Sequence, residues 1–367
     1  VTTRRQQLTI LSVAHDIGDR RLHRLAFVAR SRGYEVSLVG VGDLIRAPDG
    51  VQTSTVPNSS SKLRRLGRAV ALPLRRRHGT LVVVDPDLIA CGLVARLARR
   101  VDLLIIDVHE DFAAVARDRS WIPTWARGAI SAIARTATGA ARFADVTVVA
   151  DDHVPPLSAR RRVVVDNRPL RSPSGPTTRR PRSCVYVGDL RDSRGLWQMI
   201  DAVRQAPGWS LDLVGPMSDP SDRQRVIAAI GDDNRIRLHG RLPPGEATEV
   251  MRTCEVGMVL LANTPAYREA TPSKLYEYFD AGLAVIGTPL PKVADLIAES
   301  GAGRVAEDGA GASRVLNEWA DNPDELDNHR RAARSWADAN LDDRDGFECL
   351  FDVIDQAASE IRRSGRK

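Results

Sequence analysis

Ten short runs of apolar, β-favouring residues set between helical stretches constrain the fold of this chain more than any other feature. Five occupy residues 8–13, 35–39, 81–84, 103–106 and 146–149, and five more occupy 184–187, 211–214, 236–238, 256–260 and 284–286. Strands that alternate with helices build parallel sheets covered on both faces, because every parallel connection must cross over one side of the sheet. The two series are separated by residues 169–182, where proline, serine, glycine and arginine replace any periodic apolar pattern and mark a linker. An α/β protein with two Rossmann-like, doubly wound parallel-sheet halves is therefore expected: residues 1–168, a linker at 169–182, and residues 183–345. A last segment, 346–363, places Phe347, Leu350, Phe351, Ile354 and Ala358 at helical spacing, so this helix must dock an apolar face.

At 367 residues the chain exceeds what one core comfortably holds, in keeping with two domains. Hydrophobic residues at 43% and charged residues at 27% are the balance of a globular protein, and no apolar run approaches the roughly 20 residues that span a bilayer. The first residues lack the apolar core and cleavage site of a signal peptide, so a cytoplasmic protein is expected. Cys91, Cys184, Cys254 and Cys349 have no metal-ligand or redox spacing; they read as buried small hydrophobes, and neither a metal nor a cofactor is expected. The net charge of +6 is concentrated, with Lys62, Arg64, Arg65, Arg68, Arg75, Arg76 and Arg77 interleaved with leucines. This segment, 62–77, suits a helix resting on the anionic inner face of the cell membrane or gripping an acidic acceptor, and equally an ordinary solvated helix face. Nucleic acid is not an expected partner, since aromatics are few and no recognition motif accompanies the charge.

Open parallel sheets bind ligands beyond the carboxyl ends of their strands, so two facing sheets are expected to share one cleft. The strand at 256–260 leads into such a segment. Thr271 is a good N-cap and Pro272 a good first helical residue, and a helix beginning here presents its amides to a ligand. The amides of Ser273, Lys274 and Leu275, the helix dipole and the Lys274 ammonium would neutralise a pyrophosphate without a metal. Glu277, further along the helix, can accept both hydroxyls of a ribose, while Glu269 precedes the helix and can reach a sugar beyond the phosphates. Alone, Glu277 reads as a solvated helix residue; the combination argues for a ligand. A second loop follows the strand at 184–187: Gly188 permits a tight exit, and Arg191 and Arg194 supply guanidinium forks for phosphate oxygens. Their charge would stabilise a departing nucleoside diphosphate. In the first half, His109 follows the strand at 103–106, and the loop with His15, Asp16 and Gly18 follows the first strand.

These segments resemble the retaining glycosyltransferases of family 4, which have the GT-B fold. Glu269 and Glu277, with seven residues between them, followed by Tyr278-Phe-Asp-Ala-Gly-Leu-Ala-Val-Ile286, look like the family's glutamate pair and its glycine exit. Pro272-Ser-Lys-Leu-Tyr-Glu-Tyr278 is similar to a common subgroup version. Asp19-Arg-Arg-Leu-His-Arg24, Gly33-Tyr-Glu-Val36, Asp107-Val-His-Glu-Asp111 and Asp166-Asn-Arg-Pro169 are similar to further family segments in the same order. The resemblance implies transfer of a hexose-type unit from a UDP- or GDP-sugar to an acceptor hydroxyl, with the glycan, lipid-linked sugar or small metabolite on the His15, Asp16, Gly18 and His109 side. It implies donor contacts at Gly188, Arg191, Arg194, Glu269, Ser273, Lys274, Leu275 and Glu277, with His109, Glu269, Arg191 and Arg194 nearest the chemistry. It also implies that the last helix returns to the first half. One departure stands out: Asp189 occupies a position that is usually basic. A sugar-nucleotide epimerase and a non-catalytic GT-B partner protein share the architecture. A dehydrogenase is excluded, because Val13-Ala-His-Asp-Ile-Gly18 lacks the glycine loop that admits a dinucleotide.

Overall fold

The computed structural model describes residues 6–56, 67, 71–118, 122–169, 178–217, 220–268, 272–341 and 346–364. The chain forms two compact units, residues 1–167 with 344–367, and residues 168–343.

The first unit is built on seven parallel strands: β1 (Gln7–Asp16), β2 (Glu35–Val41), β3 (Gln52–Thr55), β4 (His78–Val83), β5 (Val101–Val108), β6 (Val146–Val149) and β7 (Arg162–Val164). Their order is β3-β2-β1-β4-β5-β6-β7, so the winding reverses between β1 and β4. The central strands are buried on both faces, which is why they read as near-continuous apolar runs. The helix Arg20–Ser31 covers one face. Asp19 caps it, its carboxylate accepting from the Arg21 amide, and the helix buries Leu22, Leu25, Ala26, Val28 and Ala29. The last helix, Phe347–Ser364, packs on this same face: Phe347, Leu350, Phe351, Ile354 and Ala357 join the core with Leu8, Ile10, Val36 and Leu38.

Arg21 ties three of the sequence motifs together. Its guanidinium grips Asp107 through two bonds of 2.8 Å, and a further Nη1 donates at 2.8 Å to the Val165 carbonyl and to Asn167 Oδ1. It also lies 5.1 Å from the Phe347 ring centre. Arginine and aspartate are both buried, so removing either partner would strand a charge.

The second unit has six parallel strands, β8 (Ser183–Val187), β9 (Ser210–Val214), β10 (Ile236–Gly240), β11 (Val256–Val259), β12 (Ala284–Gly287) and β13 (Gly303–Val305), in the order β10-β9-β8-β11-β12-β13. Its winding reverses between β8 and β11. Two cores flank the sheet, one around Trp209 and Trp319 and the other around Tyr278 and Phe279.

Several expectations are corrected. β3, β7 and β13 were not anticipated; each is a short, half-exposed edge strand, β3 and β13 without an apolar run and β7 with valines that follow directly on Arg160, Arg161 and Arg162. The end of the expected linker is anchored in the second unit, where the Arg179 guanidinium donates to the Cys254 and Ala281 carbonyls at 2.6 Å and Arg180 pairs with buried Asp212. Only Cys184 and Cys254 are buried; Cys91 is half-buried, and Cys349 points outward from the last helix. In the basic segment, Arg75, Arg76 and Arg77 are exposed, whereas Lys62, Arg64, Arg65 and Arg68 lie outside the described residues. Among the described residues no helix is long and apolar enough to cross a membrane.

Candidate functional site

In each unit the polar residues singled out above cluster where the winding reverses, the place at which a doubly wound sheet opens a crevice beyond its strands.

In the second unit the loop after β8 crosses this point. Gly188 is bound by its amide to the Val214 carbonyl at 2.9 Å, and a side chain on Gly188 would meet the Tyr186 hydroxyl at 2.7 Å. Asp192–Arg194 forms a 3-10 turn that Gly195 ends at φ +79. The Arg191 Nη2 donates to the Tyr267 hydroxyl at 2.5 Å, and the Arg194 guanidinium lies 5.7 Å from the Tyr267 ring centre. Tyr267, which the sequence reading did not single out, therefore fixes both arginines from the loop after β11. Among the described residues the buried Nε atoms of Arg191 and Arg194 have no hydrogen-bond partner, nor does Oδ1 of Asp189 or Oγ1 of Thr264. Orphaned buried donors of this kind are costly, on the order of 1–3 kcal/mol each, unless a ligand completes them. The other Asp189 oxygen lies 3.6 Å from Arg191.

The helix after β11 spans Ser273–Asp280. Pro272 is its N-cap, not its first residue, because ψ of 121° keeps it extended, and Thr271 and Glu269 lie outside the described residues. The helix therefore opens with the amides of Ser273 and Lys274. Leu275 departs from its expected role: its amide donates to the Pro272 carbonyl at 3.0 Å, and its side chain is fully buried in the core. The Lys274 ammonium binds both oxygens of Glu277, at 2.7 and 2.8 Å, so the expected phosphate and ribose groups are joined as an ion pair. Glu277 is buried, which sets it apart from a solvated helix glutamate.

The first unit brings His15 and His109 together, their Nε2 atoms 2.9 Å apart and their ring centres 4.6 Å apart in an edge-on arrangement. Behind them stands Asp85, fully buried just after β4. Its carboxylate accepts from His15 Nδ1, from Ser12 Oγ at 2.9 Å, and from the Val13 and Ala14 amides at 2.5 and 3.1 Å. Burial works against a charged His15, but the hydrogen bond and charge of Asp85 outweigh it, with help from Asp19 and Glu110, and raise its pKa to about 9. Burial would also raise the Asp85 carboxyl, yet His15 and the amides hold it below the usual range. His109 is lowered, first by burial and then by the His15 charge. A charged His15 thus donates to a neutral His109 at Nε2, leaving the His109 proton on Nδ1. Asp16 and Gly18 do not join this chain. The Asp16 carboxylate pairs with Arg46 at 2.9 Å and accepts from the Gly18 amide at 2.8 Å, shaping the loop.

The whole chain is similar to several solved structures. HepE from Anabaena in complex with UDP and glucose aligns with a TM-score of 0.66 at 14% identity, over 98% of this chain and 99% of that one. Sucrose-phosphate synthase from Thermosynechococcus elongatus aligns at 0.68 and 15%, over 99% and 98%. WaaG, a glycosyltransferase involved in lipopolysaccharide biosynthesis, aligns at 0.64 and 17%, over 97% and 99%. At such identities the likeness establishes the fold, two Rossmann-like domains of the GT-B class. No curated protein matches the sequence. Residues 172–336, most of the second unit, match the family model of glycosyl transferases group 1, so that unit carries this family's sequence pattern.

Proposed function

We propose that the chain moves a sugar from a nucleoside-diphosphate sugar, with UDP or GDP as carrier, to an acceptor hydroxyl with retention at the anomeric carbon. The observation that carries this reading is a pair of half-buried arginines, Arg191 and Arg194, whose buried Nε–H groups have no partner among the described residues and stand at the reversal point of the second sheet. Two guanidinium groups and a helix start supply the charge that a leaving diphosphate needs as its bond to the sugar breaks. The family match of the same unit supports the reading, as does the UDP bound by similarly folded HepE.

Arg191, Arg194 and the amides of Ser273 and Lys274 grip the diphosphate, and Gly188 lets the backbone approach it. Glu277 takes the ribose hydroxyls, and Lys274, bonded to both of its oxygens, holds that carboxylate in place and adds positive charge at the helix start. Glu269 contacts the donor sugar. On the acceptor side, His109 offers its Nδ1–H as a hydrogen-bond donor and not as a base, so the acceptor proton passes to the departing diphosphate oxygen. The cationic groups replace a metal in this scheme. The acceptor is a glycan, a lipid-linked sugar or a small metabolite.

A second reading draws on Asp189. Its carboxylate lies against Arg191, and one of its oxygens is buried with no partner among the described residues, which suits a GT-B protein that binds nucleotide without transferring sugar. Nucleotide release from UDP- and GDP-sugars separates the two, since only the transferase releases nucleotide in proportion to acceptor turnover. Donor binding tests the site itself. Glu277→Gln should weaken UDP or GDP binding about 10- to 100-fold by calorimetry, the worth of a charge-assisted pair of bonds. Undiminished affinity would remove the ribose assignment.

A further inference from the structure

The helix Thr124–Ala140 in the first unit is amphipathic in the wrong sense for a surface helix. It buries Ser131 and Thr138, whose hydroxyls are satisfied by the Ala113 and Ala134 carbonyls at 2.9 and 2.8 Å. Two of its large apolar residues face outward, Trp125 at 85% exposure and Ile133 at 69%, while Ile130 is half-buried. The spacing of eight residues puts them on one side of the helix, about 12 Å apart, and the exposed residues between them on that side are Gly128, Ala129 and Ala132. The helix Pro86–Leu97 packs beside it; it buries Leu88 and Ile89 in the core but leaves Val94 and Leu97 exposed, the latter at 84%. Two neighbouring helices thus each leave large apolar side chains exposed, which water does not favour.

The charges of this patch select its occupant. From residue 124 to 144 the ionisable side chains are Arg127, Arg135 and Arg142 alone; the one acid of the helix Pro86–Leu97, Asp87, stands in its first turn, ten residues before Leu97, and Asp145 is buried and paired with Arg96. A second copy of the chain would set arginines against arginines. An anionic surface would not, and tryptophan on an apolar stripe rimmed by arginine fits the boundary between lipid headgroups and acyl chains. We propose that the outer face of the helices Thr124–Ala140 and Pro86–Leu97 docks on an anionic lipid bilayer, with Trp125 and Ile133 entering the headgroup layer. The proposal does not depend on the donor chemistry.

Sedimentation of the full chain with vesicles of phosphatidylcholine, alone or mixed with phosphatidylglycerol, tests it. The chain should bind the mixed vesicles and not the neutral ones. The double variant Trp125→Gln/Ile133→Gln should bind at least about tenfold more weakly, and Arg135→Gln about fivefold more weakly. Both variants should keep the wild-type melting temperature, since the replaced side chains are exposed, and nucleotide binding measured in parallel should not change. Equal binding to both vesicle types, wild-type binding by the double variant, or a dimer that the double variant dissociates would each overturn the proposal.

Discussion

Asp85 belongs to no motif, yet it sets the charge of the histidine pair from 70 residues away along the chain. His109 was legible because it stands in a recognisable segment after a strand. Asp85 was not, because only the adjacency of β1 and β4 brings it beneath His15. Arg21 is a similar case: the segments around residues 19, 107 and 166 could each be read, but not that a single guanidinium joins them. The charge on His15 has a measurable sign. Its pKa in the folded chain, about 9, lies above the ordinary 6.5, so the stability it contributes is fully present below about pH 6.5 and is lost as the pH rises through 9. Thermal melts between pH 6 and 10 should show the wild type losing stability across that window relative to Asp85→Asn, in which His15 no longer has a carboxylate to favour its charge. Parallel curves for the two proteins would refute the linkage.

At the level of elements, the sequence revealed the strands that are buried on both faces and missed β3, β7 and β13, whose outer edges face water; β3 and β13 carry no continuous apolar signal, and the valines of β7 stand behind a run of three arginines. The helix Ser273–Asp280 was legible in position and in its buried Glu277, but not in the pairing of Lys274 with Glu277 or in the use of the Leu275 amide within the first turn. The loop after β8 was visible through its glycines and arginines, whereas Tyr267, which holds those arginines, is an ordinary aromatic in sequence. Gly195 is the least replaceable residue of this loop. At φ +79 a side chain is strained, and a Cβ would stand 1.9 Å from the Leu260 carbonyl oxygen, a backbone atom that cannot swing aside. Gly195→Ala should therefore destabilise the second unit by about 3 kcal/mol, read by chemical denaturation. A cost below about 0.5 kcal/mol, the scale of an ordinary surface change, would contradict this local geometry.

For the whole molecule, the two halves were legible from the paired strand series and from the proline-rich break, and the last helix from the spacing of its apolar residues. Its landing place was not in the pattern itself, since an apolar stripe names no partner. Phe347, Phe351 and Ile354 are fully buried in the first unit, so that unit is made of two separate stretches of chain. Deleting residues 347–367 should leave the first unit protease-sensitive while a resistant fragment near residues 168–343 survives; equal resistance of both units would argue against this partition.

The same partition gives the chain a schedule at the ribosome. The first 167 residues emerge early, but the apolar side of their sheet cannot be closed until the final helix has been translated, after the entire second unit. At synthesis rates of roughly 5–20 residues per second the wait lasts on the order of ten seconds or more. The half that is made second is thus the first that can finish folding, and the half that is made first spends the interval with Leu8, Ile10, Val36 and Leu38 lacking their last cover, a natural client for a holding chaperone.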